Sequence, residues 1–567
     1  MSLYEFRPLM PIKVAENLSA YEPWLRKLLF NRGVETASQA EEFLNPSYEA
    51  QLHDPFLLHD MEKAVSRVLS AIEQNQKIII YSDYDCDGIP GAVVLHDFFC
   101  AIGFTNFFNF IPHRHYDGFG LSTKAIKVLS EEHKANLVIT IDCGTTDIEA
   151  VAEANKLGID VIVTDHHEPK ETLPEAVAIV NPKVGDTYPF TGLCGAAVVF
   201  KLVQALMARG DYSIPPGTEK WWLDMVGIAT IADMVPLTDE NRVLAHFGLT
   251  VLRKSRRPGL QQLLRKQKAD QRYLTEDDIG FTIGPRINAA SRMDNPEDAF
   301  FMLATKDEGE AGLRVDHLEK LNLERKSAVA QMTKELHKRL EQIPEKPPVI
   351  VMGNPDWRPS LVGLAANKLA EEYNRPVFLW GRDGNGVLKG SCRSGGSISV
   401  VTLMNEIPDS FLEFGGHHMS GGFSVKEDMI HTLAEQMLDA YTTLGTKAQI
   451  SEPLLVDLEL TLDEISNSLL FAQRKCAPFG HSNHKPLYLI KDVTPKEVTV
   501  FGKTKEHTKL TFATTGLVKE AISFFRTPAQ FLTTPEIGVP LSMLVHLEES
   551  FFMGRMQTRL RIVEILK

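Results

Sequence analysis

Between residues 77 and 165 short apolar runs alternate with amphipathic ones. KIIIY (77–81), NFFNFI (106–111), ANLVITID (135–142) and DVIVTD (160–165) are β-branched or aromatic and apolar almost throughout. Such runs are too short for helices and have no polar face, the pattern of strands buried on both sides. Between them, GAVVLHDFFCAIG, STKAIKVLSEEH and DIEAVAEANKLG carry helical spacing. Strands alternating with helices predict an α/β fold with a doubly wound parallel sheet.

The pattern changes on either side. Residues 1–45 read as a helical segment (WLRKLLFNRG, ASQAEEFL), and Pro46 marks its end. From Glu308 to Leu340 the chain reads as one long helix, with Ala328, Met332, Leu336 and Leu340 forming a narrow apolar stripe, stopped by Pro344, Pro347 and Pro348. PPVIVMG, LVGLAANKLAEEY and PVFLWG form a second α/β segment. Beyond about residue 446 the texture is a run of short strands, LLVDLELTL to TRLRIVEILK, which suggests a small β-barrel or sandwich. The expected units are therefore 1–45, 46–305, 306–345, 346–446 and 447–567.

Composition excludes several classes. The chain has 567 residues, 44% hydrophobic and 24% charged, as ordinary globular proteins do. The net charge of −14 does not advertise a nucleic-acid binder. The six cysteines are scattered without a C-x-x-C pair, which argues against structural zinc and a disulfide framework and suits a reducing cytoplasm. The N-terminus lacks the pattern of a signal peptide, and no run of apolar residues is long enough to span a membrane, so a cytoplasmic protein without membrane contact is expected.

Chemistry-bearing residues gather at three strand ends: Asp83, Asp85 and Asp87 in SDYDCDG, Asp142 in IDCG, and Asp165, His166 and His167 in TDHH. In a doubly wound sheet ligands bind at the carboxyl ends of the strands, so all three fall on one edge. Asp233 lies in the apolar stretch IATIADMVPL, where an unpaired carboxylate is costly to bury. Oxygen ligands with one or two imidazoles suit Mn²⁺ or Mg²⁺ better than zinc. A pair of such cations serves phosphoester cleavage. A D-x-D-x-D run alone also fits a solvated turn or a calcium loop, but the EF-hand spacing and its terminal Glu are missing.

DYDCDG, Asp142 and the Asp165–His166–His167 triplet resemble the DHH phosphoesterase superfamily. FNRGVETASQAEEFLNP, FIPHRHYDGFGLS, GFTIGPRINAASRM, FGGHHMSGGFSV and CAPFGHSNHKP, in this order, resemble the RecJ family of single-strand-specific 5′→3′ DNA exonucleases essentially end to end. The resemblance implies a DHH catalytic domain, a DHH-associated substrate-binding domain and a C-terminal OB-like barrel. It implies two divalent cations, Mn²⁺ or Mg²⁺, held by Asp83, Asp85, Asp87, Asp142, His166 and Asp233. Asp165, His166 and His167 are the catalytic triplet, with His167 either supporting the ligands or meeting the scissile phosphate. Arg114, Tyr116, Arg286, Asn288, Ser391, Arg393, Gly415, Gly416 and His417 fall where the family holds DNA. The implied substrate is single-stranded DNA with a free 5′ end, in repair and recombination. A single-strand-binding protein and a RecQ-type helicase are the implied partners.

Alternatives remain at this level. The DHH motifs alone fit pyrophosphatases, oligoribonucleases or cyclic-dinucleotide phosphodiesterases. Ser82, Ser291, Ser420–Gly421 and Ser482–Asn483–His484 depart from the family's usual residues, which admits a phosphodiesterase of short RNA or dinucleotides. A non-catalytic nucleic-acid-binding scaffold is a third reading. The run Arg253–Arg272, with eight basic residues and one acidic, is either a solvated face or a track for a strand.

Overall fold

The computed structural model describes residues 3–395, 398–444, 453–502, 505–514, 516–552 and 555–567. Five parallel strands lie in the order Phe107–Phe110, Ile78–Ser82, Leu137–Ile141, Asp160–Thr164, Ala178–Val180. The order reverses between Ile78–Ser82 and Leu137–Ile141, so the crevice at this switch point opens between Asp83 and Asp142. Alternate side chains of one strand enter different cores. Ile78 and Ile80 pack with the helices Met61–Glu73, Gly88–Ala101 and Gly195–Arg209. Ile79 and Tyr81 pack with Thr123–Glu131 and Ile148–Lys156. Both faces are covered, which is why these strands show no polar side.

The helix Glu308–Glu341 spans 34 residues and starts where Asp307 Oδ1 accepts the Glu310 N–H at 2.7 Å. Its Val315, Leu318 and Leu321 belong to the core of the first sheet. Its Met332, Leu336 and Leu340 belong to the core of the second α/β unit. One helix thus serves two cores, and the expected stripe supplies only its second half. The second sheet has five strands, ordered Phe411–Gly416, Ser420–Val425, Leu388–Arg393, Val377–Arg382, Ile350–Gly353, and only the last pair is parallel.

The C-terminal unit is a seven-stranded sheet with the helix Asn467–Cys476 against it, an OB-like arrangement. The expected boundary at 446–447 lies outside the described residues. The N-terminal helices pack not on the first sheet but on this unit: Leu25, Leu28, Leu29 and Ala40 share a core with Ala472, Cys476 and Phe479. The strand Tyr4–Phe6 pairs in parallel with Leu454–Val456. Arg242 of the first unit donates to the carbonyls of Phe43, Cys476 and Ala477, joining all three regions. Among the described residues no helix is long and apolar enough to cross a membrane.

Candidate metal centre and nucleic-acid interface

The loop after Ile78–Ser82 turns inside its own first residues. Asp85 Oδ1 accepts the N–H groups of Asp87 (2.8 Å) and Gly88 (3.2 Å). A Cβ on Gly88 would stand 2.5 Å from the Asp83 carbonyl oxygen, so only glycine allows this closure. Asn288 fixes the loop from outside, its Oδ1 accepting the Cys86 N–H at 2.9 Å. Asn288 is thus engaged in shaping the acidic loop.

Asp87 is buried and faces the start of the helix Gly195–Arg209. Its two oxygens accept the N–H groups of Gly195 (2.6 Å) and Ala196 (2.8 Å), unpaired donors at a helix N-terminus. A Cβ on Gly195 would lie 2.6 Å from Asp142 Cβ. Gly195 therefore brings the helix against two acidic residues at once. Sequence reasoning missed it; the only signal was a glycine opening an apolar helix in GLCGAAVV. Asp142 itself takes the left-handed conformation, φ 61°, which aspartate tolerates better than most residues.

The other acidic groups and His166 converge here. His166 Nε2 lies 3.1 Å from Asp142 Oδ1, 3.6 Å from Asp87 Oδ2 and 3.7 Å from Asp233 Oδ2. Two groupings could each hold a cation: Asp83, Asp85 and Asp142, and Asp87, His166 and Asp233. Asp142 stands between them, and a third overlapping set joins it to His166 and His167.

The donor set fits hard divalent cations. Among the described residues Asp83 Oδ1 and Asp142 Oδ1 are buried without a hydrogen-bond partner. Burial, and then the neighbouring carboxylates, push Asp83 and Asp142 well above the usual carboxylate range. Burial with the charges of Asp87 and Asp85 lifts Asp233 to about 8. Burial lowers His166, which keeps its imidazole neutral and able to ligate. Each of these costs is relieved by a bound cation.

Asp165 is differently employed. Its Oδ1 accepts His167 Nδ1–H at 2.7 Å and the His166 N–H at 2.7 Å, and its Oδ2 accepts the Thr145 N–H at 3.0 Å. Burial opposes ionisation, yet the His167 bond and charge outweigh it and hold Asp165 well below the usual range. In return, against its own burial, His167 is held up to about 9 by Asp165. His167 is therefore a cation at neutral pH; among the described residues its ring hydrogen bond is made through Nδ1, leaving Nε2 available, and its side chain is 43% exposed.

This geometry can be set beside known proteins. The "DHH family, N-terminal domain" model matches residues 77–230, the "DHHA1 domain" model 346–443 and the "RecJ OB domain" model 456–564. The single-stranded-DNA-specific exonuclease RecJ of Salmonella typhimurium is 32% identical over 493 residues, 84% of each chain. The chain belongs to the RecJ family. The RecJ of Bacillus subtilis is 34% identical over 88% of this chain, which spans 63% of that relative's length. The crystal structure of Thermus thermophilus RecJ with Mn²⁺ superposes with a TM-score of 0.81 at 26% identity, covering 100% of this chain and 79% of that one. Its Mg²⁺ complex gives 0.75 at 25%.

Basic groups surround one end of the RecJ-like carboxylate row. Arg114 lies over the Tyr84 ring, 4.8 Å from its centroid, and its charge reaches Asp83. Arg292 is close behind. Burial and then the charges of Arg114 and Arg325 lower it to about 9, and its Nε is buried without a partner. Arg292 Nη1 donates to the Ser360 carbonyl at 2.7 Å, spanning the two α/β units. Arg286, in contrast, is committed to Glu319 (2.6 Å), the Thr282 carbonyl and Gln267. Arg292, further along the same helix and not singled out from the sequence, is the one that lies within the field of Arg114.

From the second unit, Arg393 Nη1 donates to Ser391 Oγ at 2.9 Å, and Ser391 Oγ donates to the Gly421 carbonyl at 3.2 Å. Gly415 and Gly416 lie in the hairpin leading to His417, whose charge reaches Glu168 beside the DHH triplet. Tyr116 is 58% exposed and leans on Gly384 of the second unit, while Phe119 meets His167 edge-on at 5.6 Å. The basic run is largely spent on local partners. Arg253 donates to the Leu274 carbonyl, Arg257 is buried between Asp97 and Asp224, Lys266 pairs with Asp316 and Arg272 with Asp270.

Proposed function

We propose that this protein is a metal-dependent exonuclease that degrades single-stranded DNA from its 5′ end to 5′-mononucleotides, in repair and recombination. The observation that carries the reading is the pair of adjoining cation groupings, Asp142 of one lying 3.1 Å from His166 of the other, with a basic pocket at one end of the row. Its RecJ relatives are named as single-stranded-DNA-specific exonucleases. Mn²⁺ or Mg²⁺ would be held by Asp83, Asp85 and Asp142 on one side and by Asp87, His166 and Asp233 on the other. When bound, such a pair supplies positive charge to the attacking and departing oxygens of an in-line displacement at phosphorus.

The chain's own groups do the rest. Arg114 and Arg292, with Ser391 and Arg393, receive the terminal 5′ phosphate; a guanidinium fork suits it better than an ammonium. His167, charged and oriented by Asp165, donates from Nε2 to an oxygen of the scissile phosphate. Asp87 stays fixed by the helix amides, so the ligand set needs no reorganisation as charge develops. Tyr116, Phe119 and the Gly415–His417 hairpin line the approach. A cytoplasmic location follows from this substrate, and a single-strand-binding protein and a RecQ-type helicase belong to the proposal as partners.

Strands blocked at one end separate the possibilities. A single strand with a free 5′ phosphate and a blocked 3′ end is degraded, whereas the 5′-blocked strand and a blunt duplex resist. Release of nucleotides from the 5′-blocked strand would overturn the reading. Dinucleotides cut faster than long strands would favour the short-RNA or dinucleotide phosphodiesterase.

A further inference from the structure

The carboxylate row has two ends. Asp83 lies within the field of Arg114, the side given to the terminal 5′ phosphate. At the other end Asp233 closes the helix Leu223–Ala232. A strand anchored by its 5′ phosphate at the first end leaves the centre past the second. The next residue there, Met234, is held at φ 60° and is 72% exposed. A non-glycine side chain in that region is held against a local cost, and such positions cluster at functional sites.

Beyond Met234 lies a cavity of about 310 Å³ between the first and C-terminal units. Its apolar lining includes Val235, Leu237 and Phe479, and its polar groups are Glu276, Asp277, His481, His484 and Lys485. The wall on the C-terminal side is the CAPFGHSNHKP segment, for which the catalytic reading has no use. It is firmly built: buried Asn483 donates to the carbonyls of Cys476 (2.9 Å) and Pro478 (2.7 Å) and accepts from Arg32 Nε at 2.7 Å. The Leu237 N–H donates to the His481 carbonyl at 2.8 Å, and Lys485 pairs with Asp277 at 2.7 Å, joining this wall to the first unit.

The chemistry selects the occupant. Lys485 is spent on Asp277 at 2.7 Å, so the interior offers no free cation beside Glu276, which disfavours a phosphate inside. Burial and the charge of Asp277 push Glu276 up to about 7, so it can both donate and accept. Apolar walls with one such group suit a flat heterocycle with ring nitrogens and exocyclic amines. His481 and His484, exposed residues of the same lining, remain for the backbone. We propose that this cavity receives a nucleobase on the 3′ side of the scissile phosphate and so fixes the strand's register in the centre. The inference rests on the proposed 5′→3′ action on single strands.

The test uses 5′-phosphorylated oligonucleotides, each with one abasic nucleotide at a successive position from the 5′ end. They are compared on wild type and Val235→Trp, which fills the cavity. Wild type loses about tenfold in kcat/KM at one position near the 5′ end, within the range for loss of one stacked base. Val235→Trp loses a similar factor on the intact strand and shows no further loss at that position. A Mn²⁺-induced rise in Tm verifies that the variant is folded, and Val235→Phe replaces it if it is not. An even abasic profile in an active wild type, or the same register loss kept in the filled variant, overturns the inference alone. A wild type that releases nothing from single strands, or works from the 3′ end, removes the functional reading and the inference with it.

Discussion

Gly195 donates its backbone N–H to Asp87 Oδ2 at 2.6 Å, across 108 residues of chain. The same glycine lies so close to Asp142 that a methyl group would overlap its Cβ. Two loops from different strands are thereby clamped by one helix N-terminus. Gly195→Ala should push Asp142 and Asp87 apart, weaken Mn²⁺ binding at least tenfold and lower kcat by roughly two orders of magnitude, the scale of a displaced catalytic group. Calorimetric titration with Mn²⁺ alongside activity would show it. Wild-type affinity in the variant would mean that the clamp does not shape the cation site.

His167 and Asp165 act as a pair. Asp165→Asn removes the carboxylate that keeps His167 charged, and the imidazole then falls toward or below its ordinary range. The expected result is a drop in kcat of about 10²-fold, typical of general acid–base or charge-donating groups. Mn²⁺ affinity should be nearly unchanged, because Asp165 spends its oxygens on His167 and backbone amides. A drop confined to Mn²⁺ affinity would instead make Asp165 a direct ligand.

The acidic cluster gives stability a pH dependence with a definite sign. Asp233 titrates at about 8 in the folded chain against about 3.9 when unfolded. Its contribution is fully present below the unfolded value and is lost as pH rises through the folded one. Asp83 and Asp142 shift in the same direction. The cation-free protein therefore carries its largest repulsion at alkaline pH, where a divalent cation relieves most and competes with fewest protons. Differential scanning calorimetry should show a Mn²⁺-induced rise in Tm several degrees larger at pH 8 than at pH 6. An equal rise at both would show that these carboxyl groups are not what the cation meets.

Arg292 and Arg286 should fail in different ways. Arg292→Ala removes a guanidinium beside Arg114 and should reduce kcat/KM on 5′-phosphorylated strands by tenfold or more, with less effect on 5′-hydroxyl strands. Arg286→Ala strands Glu319 and should cost stability, roughly 3–5 kcal/mol for a broken buried pair, without changing the preference for the 5′ phosphate. Denaturant unfolding and paired kinetics distinguish them. The reverse pattern would return Arg286 to the phosphate pocket.

These two arginines show where the sequence was readable. Asp83, Asp85, Asp87, Asp142 and His166 follow strands whose apolar runs are unmistakable, so their meeting at one edge followed from topology. Arg286 and Arg292 sit on one helix, Gly284–Met293. At about 100° per residue, six positions turn the side chain through about 240°, and motif similarity does not report which side faces the cleft. Gly195 was hidden because its role is a close approach to residues far away in the chain. The docking of the N-terminal helices on the C-terminal unit depends on Arg242 and on packing across more than 400 residues, which no local pattern encodes. The Arg253–Arg272 run read equally as a solvated face or a track, because charge counts do not reveal partners such as Asp97, Asp224 and Asp316.

Asp142 belongs to one cation grouping and abuts the other, 3.1 Å from His166. The decisive measurement is Mn²⁺-dependent release of 5′-mononucleotides from a 5′-phosphorylated single strand by wild type and by Asp142→Ala, with folding of the variant verified by circular dichroism. The account predicts steady release by the wild type, none without a divalent cation, and none by the folded variant. Full activity of Asp142→Ala would contradict a cation centre built on Asp142.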